Sequence, residues 1–240
     1  MPFVRADTSV NIINAALLAS GLAKSAAPFS STDGAVIQIV SLLTDCMREL
    51  GGAYAWPSLL RTKTFTTVNP GDTGVYPLPA DFDYMCPQTG WVKTDSIPLG
   101  GPVDAQIWQQ FVNSTFTSNF YLYFREESDQ FWVWPQPPPN GKIVSYKYSS
   151  RNYVLNVGVN KDYSDDPADV IIFDPLLIQK LLKLRFLEAR GFDTEKAQAQ
   201  YDAIYSARTG RVGSAPVLNL VNRPRLKLIS TNNIPESTFG

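Results

Sequence analysis

Residues 175–190 read Pro-Leu-Leu-Ile-Gln-Lys-Leu-Leu-Lys-Leu-Arg-Phe-Leu-Glu-Ala-Arg, and their pattern decides how the rest of the chain must be arranged. Pro175 suits a first helical position, where its missing N–H would find no partner anyway, and Gly191 can supply the left-handed residue that closes a helix. Leu176, Leu177, Ile178, Leu181, Leu182, Leu184, Phe186 and Leu187 cover more than one face of such a helix. It therefore needs cover on several sides, from its own chain or from neighbouring copies. Downstream, a second helix is expected to begin at Asp193 or Thr194, run to about Arg208 and close at Gly210.

Matching helices lie at the other end of the sequence. Val36, Val40, Leu43, Met47 and Leu50 recur at alternating steps of four and three residues, which is one apolar stripe facing one core. Thr32 or Asp33 can cap this helix, Gly51 can end it, and Arg48 sits near the negative end of its dipole. Val10, Ile13 and Leu17 behind Asp7 or Thr8 outline a shorter amphipathic helix. Asp7, Asn11 and Asn14 interrupt what would otherwise pass for the apolar part of a signal peptide. No run reaches the roughly 18 consecutive apolar residues of a membrane span, so a soluble protein, intracellular when made and without a membrane partner, is expected.

Between the helical ends the period changes. Arg61 to Val68 is Thr-rich with an aromatic, a strand composition, and Asn69-Pro70-Gly71-Asp72-Thr73-Gly74 is dense turn chemistry. Strands are expected from there to about residue 155. Phe120–Arg125 and Gln130–Trp134 read as a hairpin around the four-residue loop Glu126-Glu127-Ser128-Asp129. Lys142–Tyr148 forms the next strand beyond a proline-rich connection that cannot donate to a central ladder. The expected class is α+β: a helical bundle formed by N- and C-terminal helices, with an inserted antiparallel β domain (a small sandwich or open barrel) and an extended C-terminal tail. The expected divisions are residues 1–60, 61–155, 156–210 and 211–240.

The tail, 211–240, has no helix to shelter it. Val217-Leu218-Asn219-Leu220-Val221 and Arg225-Leu226-Lys227-Leu228-Ile229 are short apolar stretches of strand-like composition. Such a segment can add to a sheet edge or lie in a groove of a partner, or fold back on its own domain. Arg211, Arg223, Arg225 and Lys227 against Glu236 make it net +3, in a chain of 240 residues whose 21 basic and 22 acidic side chains leave −1 overall. That balance provides no chain-wide basic field for coating DNA.

What is missing constrains the chemistry. With no histidine, Ser-His-Asp and Cys-His nucleophile pairs and His-containing zinc sites are excluded. Cys46 and Cys86 are too few for a four-thiolate metal site or a disulfide framework and read as buried thiols. Asp162, Asp165, Asp166, Asp169 and Asp174 crowd a short stretch with Lys161; a solvated loop that caps the next helix fits them better than a cation site, since the EF-hand glycine and terminal Glu are absent. Glu126, Glu127, Asp129, Glu188 and Glu195 are the remaining carboxylate candidates, but a hairpin tip offers no cleft for a glycosidase pair. Trp91, Trp108, Trp132 and Trp134, with Tyr121, Tyr123, Tyr146 and Tyr148, could form a stacking platform for sugars or bases, although such aromatics more often fill cores. Gly51-Gly52 and Gly100-Gly101 lack the residues of a phosphate loop. No catalytic, cofactor-binding or metal-binding residue is assigned.

Three landmarks nonetheless form a pattern: Ala55-Trp56-Pro57-Ser58-Leu59-Leu60-Arg61 after the first helices, Tyr76-Pro77-Leu78-Pro79-Ala80-Asp81-Phe82, and Trp134-Pro135-Gln136-Pro137 before Ile143–Tyr148. Over residues 30–210 the chain resembles the head-to-tail adaptor proteins of tailed bacteriophages, including the tail tubular A-like proteins of short-tailed phages. The resemblance implies a non-enzymatic ring, usually dodecameric, under the portal protein. It bridges to the tail tube or nozzle protein and continues a channel through which genomic DNA passes without specific binding. It implies a place in the virion neck, assembly in the host bacterial cytoplasm, and a C-terminal tail that reaches the portal. On that reading Leu218, Leu220, Arg223, Arg225, Leu226, Lys227 and Leu228 are the expected partner-binding residues, on portal or on a neighbouring copy. A carbohydrate-binding or cell-wall-degrading tail component, and a protein of the nozzle or tube itself, are the alternatives.

Overall fold

The computed structural model describes residues 6–68, 71–113, 121–156 and 159–212. The fold is α+β with antiparallel sheets. Helices from both ends of the chain meet in one hydrophobic core, and the strands between them build a second.

At the centre of the first core is the helix α4, Pro175–Ala189, capped by Asp174, whose Oδ1 accepts from the amides of Leu176 (3.1 Å) and Leu177 (3.2 Å). Helices α1 (Ser9–Ala19), α2 (Gly34–Ala53) and α5 (Glu195–Val212) all pack on it. Leu177, Ile178, Leu181, Leu182, Leu184 and Phe186 are buried by this arrangement. The many-sided cover that α4 demands thus comes from its own chain, so its composition is no reason to expect neighbouring copies. Leu176 in the first turn stays 43% exposed. Arg185 joins α4 to α2 by pairing with Glu49, and also pairs with Glu188 at 2.6 Å.

Two helix ends differ from the sequence reading. Helix α5 runs through Gly210 to Val212. Helix α2, capped by Asp33 through the Ala35 amide (2.8 Å), passes through Gly51 and stops at Ala53. Gly51 is there for space, because a Cβ on it would lie 2.5 Å from Cε1 of Tyr153, a ring buried in the same core. Replacing Gly51 with Ala should therefore cost about 1–3 kcal/mol in urea unfolding through overpacking. An unchanged midpoint would mean the Tyr153 ring swings aside freely.

The second core lies between two sheets. Strand β9, Ile143–Ser150, is the spine of one. It pairs along one edge with β2 (Leu60–Thr66), and along the other with β4 (Phe82–Met85) and β5 (Trp91–Val92), to which β6 (Ile97–Pro98) is added. The facing sheet is β3 (Val75–Pro77), β8 (Gln130–Trp134) and β7 (Tyr123–Glu127) in that order. Inward residues alternate along each strand, as a pleated strand with one buried face requires: Val144, Tyr146 and Tyr148 from β9 meet Phe124, Phe131 and Val133. Phe131 stacks on Tyr146 (4.7 Å between centroids) and on Phe124 (4.9 Å).

Within this region the structure adds a helix that the strand-rich reading lacks. Helix α3, Ala105–Asn113, is opened by Asp104, whose carboxylate accepts from the Ile107 amide at 2.9 Å. It lies on the outer face of the three-stranded sheet, with Phe111 stacked on Trp134 (4.9 Å) and against Tyr123 (5.0 Å). The hairpin loop is also shorter than expected: β7 and β8 are joined by Ser128-Asp129 alone, both at positive φ (53° and 58°), the geometry of a two-residue primed turn.

A third small sheet belongs to the helical side. Strand β1 (Asp7–Thr8) pairs with β12 (Val170–Ile171), which pairs with β10 (Val154–Asn156), which pairs with β11 (Val159–Lys161). Val154 and Ile171 are buried in the helical core, so β10 carries the chain from the end of β9 back among the helices.

Candidate functional site

The three sequence landmarks all become joints. Trp56 is buried in the helical core, its Nε1 donating to the Leu50 carbonyl at 2.6 Å and its ring meeting Tyr54 (5.1 Å), Phe173 (6.0 Å) and Tyr205 (6.3 Å) edge-on. The Trp56 carbonyl accepts from Leu59, and the Leu59 carbonyl accepts from Ser150 at 3.0 Å, where the β2–β9 ladder begins. Residues 55–61 therefore convert the end of α2 into the first strand of the sandwich. Asp81 performs the equivalent task at the end of β9: its carboxylate accepts from Tyr148 Oη (3.0 Å) and Ser150 Oγ (2.7 Å), and its carbonyl accepts from the Arg151 amide. Burial, then the Asp81 carboxylate, push the Tyr148 phenol up to about 12. Trp134, first of the Trp-Pro-Gln-Pro landmark, is the residue on which α3 rests.

The acidic stretch is a lock. Asp169 is fully buried and its carboxylate accepts from the amides of Asp165 and Asp166 (both 3.0 Å), from Asn156 Nδ2 (2.7 Å) and from Lys161 Nζ (3.1 Å). Burial by itself would raise this carboxyl; the two amides, with Lys161 and Ser164, outweigh it and hold the group below the ordinary aspartate value. The Asp169 carbonyl accepts from the amide (2.8 Å) and hydroxyl (3.0 Å) of Ser9, which ties the loop to the start of α1. Asp162 pairs with Arg48 at 3.5 Å, Asp165 pairs with Lys161, and Asp174 caps α4. Among the described residues no group of three His, Cys, Asp or Glu side chains is placed to hold a metal ion.

The candidate chemistry disperses. Glu126 and Glu127 are adjacent on β7 and so face opposite sides of the sheet, with Glu127 paired to Arg125 at 3.1 Å. Glu126 is half-buried beside Cys86 in a cavity of about 200 Å³; burial raises both groups, which disfavours a thiolate. Of the tryptophans considered as a platform, Trp108 (4%) and Trp134 (6%) are buried, Trp132 donates to the Glu127 carbonyl at 3.3 Å, and Trp91 stands alone at 46% exposure. Both thiols are buried, as expected. Among the described residues no helix is long and apolar enough to cross a membrane. The predicted partner residues Leu218, Leu220, Arg223, Arg225, Leu226, Lys227 and Leu228 lie outside the described residues.

Two cores, joined through residues 55–61 and the end of β9, make up an α+β protein. The chain belongs to the SU10 adaptor protein family, a phage head–tail adaptor family, whose model matches residues 12–225. The match spans both cores and extends into the tail as far as Arg225. No curated protein matches the chain.

Proposed function

We propose that the protein forms an oligomeric ring, of dodecameric order, that joins the phage portal to the tail tube or nozzle and continues the DNA channel in the virion neck. The observation that carries this reading is membership of a phage adaptor family across both cores. In the proposed ring the C-terminal tail docks on the portal or on a neighbouring subunit. Residues 211–240 carry four cations and one anion, whereas the preceding 210 residues carry 17 cations and 21 anions. A basic, apolar tail on an acidic body favours contact with another chain's acidic surface, with apolar burial supplying affinity and charge supplying orientation and on-rate. Genomic DNA crosses such a body without specific binding, and host-cytoplasmic assembly needs no membrane step.

The test is a chain truncated after Val212, which keeps α5 whole. Its binding to isolated portal rings, followed by sedimentation and electron microscopy, is expected to fall at least about tenfold, as removal of a central apolar anchor does. Undiminished binding would overturn the role given to Leu218–Leu228. Electron microscopy of the full chain with portal, showing no closed ring, would overturn the reading as a whole.

A further inference from the structure

The sandwich leaves one long strand edge open. On β2 the odd-numbered residues bond to β9: the Leu59 carbonyl accepts from Ser150, and Thr67 both donates to Lys142 and accepts from Gly141. By the alternation of an antiparallel ladder, the N–H and C=O groups of Thr62, Thr64 and Thr66 face away from β9. No strand among the described residues pairs on that side. Thr62, Thr64 and Thr66 are exposed, and the β2–β9 register runs without a bulge over all seven residues.

Strand β4, four residues long and bulged, offers a shorter edge, and the remaining edges of the sandwich are blunted. Strand β6 has two residues, one of them Pro98, and β3 ends in Pro77. Strand β7 is covered by residues 100–103, with Gly100 bonded to Leu122 and Phe124 and Val103 to Phe124. Protein sheets normally close or shorten such edges, because an open ladder is a template for another strand. Edge β2 is guarded by charge and, at its first residue, by Arg61, which donates to the Leu60 carbonyl at 3.1 Å. Arg61 and Lys63 share a side of the strand with Phe65, and among the described residues neither has an ion pair.

We propose that the edge of β2 is a strand-accepting site for an extended acidic segment of another protein. Charge selects the occupant. A second copy pairing β2 antiparallel to β2 sets Lys63 opposite Arg61 or Lys63 in the registers centred on Thr62 or Lys63, and centred on Thr64 it leaves both cations without an anion; the tail of this chain would set Arg223, Arg225 and Lys227 beside Arg61 and Lys63. An antiparallel partner whose residues opposite Phe65, Lys63 and Arg61 are apolar, acidic and acidic satisfies both the ladder and the charges. Spelled from its N-terminus against Thr66 to Arg61, the matching sequence is Thr-Val-Thr-Glu-Thr-Glu. The site is independent of the ring and of the tail's docking, so it stands or falls separately from them.

The experiment titrates that hexapeptide into isotope-labelled full-length protein and follows the amide resonances by NMR. Shifts are expected at Thr62, Thr64 and Thr66, with affinity about tenfold above that of Thr-Val-Thr-Lys-Thr-Lys, as two cross-strand charge pairs imply. Thr64→Pro removes an outward N–H while keeping the backbone ladder to β9, and should abolish binding in a folded variant; Thr64→Ala, which loses the same Thr64–Ser145 side-chain bond (3.2 Å) but keeps the N–H, should still bind. Lys63→Glu, which keeps every backbone group, should remove the preference for the acidic peptide. No shift at the three threonines, equal affinity for the two peptides, or an unaffected Thr64→Pro variant that is folded would overturn the proposal.

Discussion

Changing Asp169 to Ala is expected to cost about 3–5 kcal/mol, the range for removing one member of a buried, hydrogen-bonded ion pair. The substitution strips partners from the amides of Asp165 and Asp166 and from Asn156, and leaves Lys161 with Asp165 as its remaining carboxylate. It also loosens the loop whose backbone holds Ser9 at the start of α1, so part of the loss should appear as fraying of the N-terminal helix. Asp169→Asn keeps an acceptor oxygen and should cost less, roughly 1–3 kcal/mol for a charge-assisted set replaced by neutral bonds. The folded-state pKa of Asp169 is depressed, so its contribution is complete above the unfolded value of ~3.9 and declines as pH falls below it toward the folded value. Urea unfolding of wild type and Asp169→Asn between neutral pH and pH 3 should thus show a gap that narrows on acidification. A gap that widened, or an alanine variant within 1 kcal/mol of wild type, would refute the lock.

The same residue illustrates what the amino-acid order reveals and what it withholds. Five aspartates in thirteen positions announce a capping, turn-rich linker, and Asp174 caps α4. Which of the other four turns inward depends on Asn156 and Lys161, placed by the β10–β11 hairpin, and on Ser9, more than 150 residues away. Periodicity predicts α1 and α2 because each carries a repeated stripe, and apolar density between Pro175 and Gly191 predicts α4. Neither reveals α3, whose nine residues bury only Trp108 fully and whose other aromatic, Phe111, finds its partners on a sheet formed later in the chain. Glycine is ambiguous for a related reason: Gly191 at φ 71° does close a helix, whereas Gly51 serves a close approach that only Tyr153 makes visible. The two-residue turn is hidden in the sequence because Ser128-Asp129 adopt left-handed backbone without the glycine that usually signals it. The family landmarks are legible as a pattern, but their meaning as joints depends on hydrogen bonds that the sequence does not show: Trp56 to Leu50 within the helical core, Leu59 to Ser150 where that core meets β9, and Asp81 to Tyr148 on the sandwich.

Trp56 is the joint whose removal should be felt most in the helical core. Trp56→Ala is expected to cost about 3–5 kcal/mol, the range for emptying a buried indole site whose walls relax only partly. Three aromatic partners, Tyr54, Phe173 and Tyr205, come from the end of α2, the approach to α4 and α5 respectively, so no single neighbour can move in to fill the space without leaving its own element. The Leu50 carbonyl would also lose the indole donor at the turn where α2 is ending. Trp56→Phe separates these contributions, because it retains an edge-on ring while deleting the donor. Its cost should be about 1–2 kcal/mol, the size of one buried hydrogen bond plus a small void. The check is urea unfolding monitored by helical circular dichroism, with denaturant slopes compared so that the energies refer to the same transition. If Phe proves as damaging as Ala, the donor to Leu50 dominates the joint. If both variants unfold within 1 kcal/mol of wild type, residues 55–61 are only a connection, and the crossing between the cores must be held elsewhere, with Asp81 the next group to remove.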